Sequence, residues 1–248
     1  MSRYFLEVSY KGSAYSGFQS QKNANTIQSE VENAFEILQK KRIVMVGSSR
    51  TDAGVHALQN FFHFDYEEAL NPHFIYKMNA ILPADIVIKN VFRVSNEAHC
   101  RFDAISREYR YYIYRSKDPF LRESAFYFPY KLDIDKLQQS AQTIRNYIDF
   151  TSFSKRKTQV KTFNCSIIES EWLWQEGLLV YRVKANRFLR GMVRALVATM
   201  LKIGREKIDL GEFKKIIESK DASLANFGAP AHGLFLIKVE YPFDVLLK

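Results

Sequence analysis

Two aromatic-rich segments, Arg3 to Tyr10 and Arg107 to Tyr114, constrain the fold more than any other feature of this 248-residue chain. Tyr, Phe and branched side chains at this density favour a pleated, half-buried backbone, so both segments read as strands. Each opens a similar run of predicted elements. After the first come a loop from Lys11 to Gln19, a helix starting at Thr26, and strands near 43–48 and 58–66. Thr26 is an N-cap candidate, and Ile27, Val31, Phe35 and Leu38 fall on one helical face. After the second come a helix over 133–145 and strands over 163–175 and 178–186, with Glu176-Gly177 suited to a hairpin. A short helix within 71–80, a strand over 86–94, helices over 187–202 and 209–219 and a strand over 233–241 complete the pattern. Strand-helix-strand-strand, twice over, predicts an α+β protein of two related halves, 1–105 and 106–248. No low-complexity linker separates them, which favours a continuous, mainly antiparallel sheet flanked by helices.

Composition narrows the partner. Gly and Pro number 10 and 6, too few for a disordered or collagen-like chain, and 47% of residues are apolar, enough for a substantial core. The net charge is +9, which suits a polyanion such as nucleic acid or an acidic membrane surface. The charge is uneven: Arg182 to Lys207 holds eight Lys/Arg and one acid, Glu206. The 20 Phe and 14 Tyr supply a core and also surfaces on which bases can stack. Cys100 and Cys165 are too few for a disulfide framework and read as buried thiols in a reducing compartment. The five histidines show no metal spacing, so no structural zinc is expected. No signal peptide or membrane span is visible, and the cytoplasm is the expected location.

Several constellations could carry chemistry. Arg50-Thr51-Asp52-Ala53-Gly54-Val55-His56-Ala57 leaves one apolar run and enters an aromatic one, so a Gly-containing turn presents Asp52 at a sheet edge. Asp52 is either a reactive carboxylate or an Asx residue fixing the loop. His56 is either a general base or a hydrogen-bonding group for the same turn. In the predicted 187–202 helix, Arg187, Arg190 and Arg194 are spaced i, i+3, i+7 and would share one face, either gripping phosphates or simply solvated. Tyr109 and Tyr111 alternate on one strand face and Arg110 and Tyr112 on the other; tyrosines so placed either pack or stack bases. Lys155, Arg156 and Lys157, with Lys161 nearby, form a basic loop able to contact phosphates.

The Arg50–Ala57 segment closely resembles the active-site motif of the tRNA pseudouridine synthase A family. Tyr10-Lys11-Gly12 with Gly17-Phe18-Gln19, Asn79 to Pro83, Ala98 to Asp103, Arg107 to Tyr111, Asp149 to Phe153, Asn186 with Phe188 through Arg194, and Gly233-Leu234-Phe235 resemble further family motifs in order. The sequence departs from the family at Ser49, where bacterial members usually have Gly. It departs again at Leu189-Arg190-Gly191, where aromatic or His residues are frequent. The resemblance implies the pseudouridine synthase fold, a homodimer, no cofactor, and isomerisation of uridine to pseudouridine at positions 38, 39 and 40 of the tRNA anticodon stem-loop. It implies Asp52 as nucleophile, with Arg194 keeping it ionised and oriented. Tyr109 would stack on the target uracil, Arg50 would help flip the nucleotide, and Leu234 would lie under the base. Arg187, Arg190, Lys155, Arg156 and Lys157 would contact the RNA backbone. Two other readings compete: a non-catalytic RNA-binding module, which leaves the Asp52 turn without a purpose, and an Asp-dependent hydrolase, which lacks a second carboxylate or metal cluster.

Overall fold

The computed structural model describes residues 1–156, 160–243 and 245–246. The elements in chain order begin with β1 (Ser2–Tyr10), α1 (Ile27–Gln39), β2 (Val46–Gly47), β3 (His56–Tyr66), α2 (Phe74–Ile81) and β4 (Ile86–Val94). They continue with β5 (Ser106–Tyr114), β6 (Phe126–Tyr127), α3 (Ile134–Thr143), β7 (Ile167–Gln175), β8 (Leu178–Ala185), α4 (Met192–Gly204), α5 (Leu210–Glu218) and β9 (Leu234–Glu240). The protein is thus α+β, and most strand pairs are antiparallel. No helix among the described residues is long and apolar enough to cross a membrane.

The chain groups into two units. The first is Met1–Ser106 with Leu236–Lys248; the second is Arg107–Phe235. In the first, the strand order is β4-β1-β3-β9, with β2 beside β3. β1 is central and antiparallel to both β3 and β4, and its residues Phe5 to Val8 are buried without alternation. α1 starts where Thr26 predicted. The Thr26 hydroxyl accepts the Ser29 N–H, and the Ser29 hydroxyl accepts the Thr26 N–H, two otherwise orphaned donors. Phe35 on α1 seats the helix on the sheet: its ring meets Phe64, Tyr66 and Phe74 at 5.2, 5.3 and 5.9 Å between centroids, all edge-on.

In the second unit β8 lies between β5 and β7, antiparallel to both. Glu176 and Gly177 close the β7–β8 hairpin with φ of 50° and 79°, the left-handed pair that a two-residue turn requires. β6 adds to β5 in parallel and is too short to show a sequence period. Asp133 caps α3 through the Lys136 N–H, and Asp209 and Glu212 form a reciprocal cap on α5. α4 is buried almost all round and serves as the core helix of this unit.

The helix predicted over 187–202 starts instead at Met192. Gly191 immediately before it has φ 76° and ψ 1°, a left-handed conformation that no right-handed helix can pass through. Arg187 and Arg190 therefore precede α4, and the single arginine face inferred from their spacing does not form.

Candidate active site

Asp52 sits in a tight turn between β2 and β3. The Val55 N–H donates to the Asp52 carbonyl at 3.2 Å, and Gly54 takes φ 79°. Asp52 is half-buried and Arg50 is exposed, while the flanking Ser49, Thr51 and Val55 are buried. The turn is pinned from several sides. The Thr51 hydroxyl lies 2.8 Å from the Tyr10 hydroxyl. The Phe18 N–H donates to the Thr51 carbonyl at 3.1 Å. Asn60, wholly buried on β3, donates its amide to the Ser49 carbonyl at 2.8 Å and to the Tyr10 hydroxyl at 3.2 Å. His56 accepts the Gly12 N–H on Nδ1 at 3.1 Å, so it fixes one loop against the other. A Cβ on Gly12 would fall 2.0 Å from the Val55 oxygen, so only glycine lets these loops approach so closely. Ser49, the departure from the family pattern, is accommodated without a positive φ.

Tyr109, Leu234 and Arg194 belong to the second unit. Tyr109 and Tyr111 do share a face of β5, on the buried side. They differ in surroundings. The Tyr111 hydroxyl donates to the Pro230 carbonyl at 2.8 Å, and Gly233 lies against its ring, so Tyr111 is a packing residue. Burial pushes the Tyr111 phenol far above its ordinary range, against a smaller opposing effect of the nearby Arg194 charge. Tyr109 stands edge-on to Phe188, with centroids 5.0 Å apart and planes at 83°. Arg194, two residues into α4, donates Nε to the Ala229 carbonyl at 2.7 Å, which fixes the direction of its side chain. Leu234 is buried at the start of β9.

The basic residues come together by a different route from the one their spacing suggested. The Lys155 N–H donates to the Arg190 carbonyl at 2.9 Å, and the Lys155 stem lies over Gly191, 3.1 to 3.3 Å from where a Cβ would be. Lys155, Arg156 and Arg190 are thereby neighbours on two crossing loops. The guanidinium of the exposed Arg156 reaches Asp221 at 3.5 Å. Arg187 is half-buried just after β8. Lys157 lies outside the described residues. The fixing roles of Tyr10 and Asn60 were missed from sequence. A Tyr opening the first loop motif and an Asn interrupting the apolar run of β3 were the only signals for them.

The turn that carries the half-buried Asp52 is thus held at the start of β3 by buried hydrogen bonds. A sequence profile described as tRNA pseudouridine synthase matches residues 7–103 and 148–242. The chain belongs to this family. Its relatives include proteins named tRNA pseudouridine synthase A from Parabacteroides distasonis, 43% identical over 99% of this chain and 98% of that one, and from Porphyromonas gingivalis, 44% identical over all of both. A protein of the same name from Staphylococcus aureus is 37% identical over 99% of this chain and 93% of its own.

Proposed function

We propose that this protein is an isomerase that converts uridine to pseudouridine in tRNA, at positions 38, 39 and 40 of the anticodon stem-loop. The observation that carries the reading is the pinned Asp52 turn, lying within a segment matched by the family profile. The reaction breaks the bond from C1′ to N1, turns the uracil, and joins C1′ to C5. N1 gains a proton and C5 loses one, so substrate and product have the same composition and no electron acceptor is needed. Asp52 is the nucleophile, attacking C1′ or C6, or opening a glycal route by taking a proton from C2′.

The other roles follow from chemistry and from the resemblance. Arg194 is the counter-charge that keeps the Asp52 carboxylate ionised, an assignment supported by the family motif alone. Arg50 helps extrude the nucleotide and fills the space it leaves; its exposure beside Asp52 supports this. Extrusion costs a few kcal/mol, less in a loop than in a stem. Tyr109 stacks on the uracil and takes part in removing the C5 proton, and Leu234 packs beneath the base. Lys155, Lys157, Arg156, Arg187 and Arg190 contact phosphates, and a basic cluster of Lys155, Arg156 and Arg190 supports that part. A homodimer belongs to the same reading by resemblance, and the cytoplasm is the expected place of work.

The test is tritium release from tRNA labelled at uracil C5. Release to water is expected from the wild-type chain. Asp52→Asn should bind tRNA and release nothing. Wild-type binding without release from any of several tRNAs would favour a non-catalytic RNA-binding module instead.

A further inference from the structure

His63 on β3 and His99 and Cys100 in the loop after β4 meet, although 36 residues of sequence separate the first two. One ligand atom from each lies within 4.8 Å of the others. His63 and Cys100 are buried and His99 is half-buried, so a cation could reach the group from the His99 side. Both the Sγ of Cys100, at 3.2 Å, and its backbone N–H, at 3.4 Å, approach Nδ1 of His63. Where that nitrogen accepts the Cys100 backbone N–H, the ring proton sits on Nε2. The rings of His63 and His99 meet edge-on at 4.5 Å.

We propose that His63, His99 and Cys100 form a binding site for a divalent cation of the zinc class, with one imidazole nitrogen from each histidine and the Cys100 thiolate as ligands. Zinc takes sulfur at about 2.3 Å and imidazole nitrogen at about 2.0–2.1 Å. Two such bonds at a tetrahedral angle span about 3.6 Å, close to the observed separation of Sγ and Nδ1. Binding replaces the thiol proton, which leaves to solvent, and breaks the bond that the thiol makes to the Val46 carbonyl at 3.1 Å and the one that Nδ1 of His63 accepts from the Cys100 N–H at 3.4 Å. The surrounding loop is already held in place. The Asp103 carboxylate accepts the His99 N–H at 2.8 Å, and the Tyr241 hydroxyl donates to the Cys100 carbonyl at 2.6 Å. Three protein ligands leave a fourth position for water. Sequence spacing gave no sign of this because the ligands come from a strand and a distant loop rather than from one local motif.

The test titrates Co²⁺ alone into the reduced, chelator-treated chain and follows absorption. One equivalent per chain is expected, with a thiolate-to-cobalt charge-transfer band that Zn²⁺ removes by competition. Cys165→Ser should keep the band, and Cys100→Ser should lose it with unchanged circular dichroism. His99→Ala, at the half-exposed ligand, should weaken binding by about tenfold or more and decides the matter if the Cys100 variant fails to fold. The proposal fails if the wild-type chain shows no such band at stoichiometric Co²⁺. It fails equally if the band survives in Cys100→Ser or if His99→Ala binds as tightly as wild type, which would leave a hydrogen-bonded thiol only.

Discussion

Asn60 holds its amide between the Ser49 carbonyl and the Tyr10 hydroxyl, and the Tyr10 hydroxyl in turn meets Thr51. Replacing it by Leu strands these buried polar groups, at about 1–3 kcal/mol of folding stability. Because Asn60 is buried away from any bound RNA, Asn60→Leu should slow tritium release from C5-labelled tRNA while leaving tRNA affinity unchanged. Full turnover in the folded variant would show that the turn does not need this pin. Cys165 makes a separate prediction. Burial pushes its thiol up to about 11 from 9.0, with the nearby Arg187 charge opposing. Between these values the unfolded chain releases the proton and the folded chain does not, so stability falls as pH rises through that window. Unfolding midpoints at pH 8 and pH 10 should therefore drop less in Cys165→Ala than in wild type. The Asp52 turn was legible in the sequence because its motif is contiguous. Tyr10 and Asn60 were not, since their partners Thr51 and Ser49 stand 41 and 11 positions away.

At the scale of elements, the cap of α1 and the hairpin turn were readable and the entry to α4 was not. Thr26 marked the start of α1, and Glu176-Gly177 marked the hairpin, because each signal is confined to a few neighbouring residues. The apolar period of α4 continues backward through Leu189, and periodicity says nothing of the left-handed Gly191 that stops the helix there. Gly191→Ala should cost on the order of 1–2 kcal/mol for that conformation alone. The added methyl also meets the Lys155 stem at 3.1 Å, so the Lys155 side chain must shift. Weaker tRNA binding is expected together with the lower unfolding midpoint. Loss of stability with full affinity would mean that the Lys155–Arg190 neighbourhood does not contact RNA.

For the molecule as a whole, the +9 charge predicts tRNA binding that weakens linearly in logarithmic salt concentration. Lys155→Ala and Arg190→Ala should each lower that slope by about 1 if each cation meets a phosphate. The sequence reading captured the α+β class with a mainly antiparallel sheet. It did not anticipate that the end of the chain, from Leu236 on, belongs with the first unit, because nothing local in a strand names its neighbour. There the Val239 N–H donates to the Gln59 side chain at 3.0 Å, and the Ile105 N–H donates to the Glu240 carbonyl at 2.8 Å. A fragment of residues 1–106 lacks these partners and leaves unpaired the part of β3 that β9 covers, beyond the short pairing with β2. It should show no cooperative urea transition, and adding a peptide of residues 234–246 should restore one.

The same return of the chain sets an order on biosynthesis. Domains that are contiguous in sequence can fold while the ribosome is still elongating. Here β9 is made after every other described element, and it lies beside β3, the strand that carries Asn60 and leads directly from the Asp52 turn. The long flank of the strand that leaves the carboxylate loop is thus completed only after residues 234–240 have emerged, and chains terminated before them are left without that neighbour.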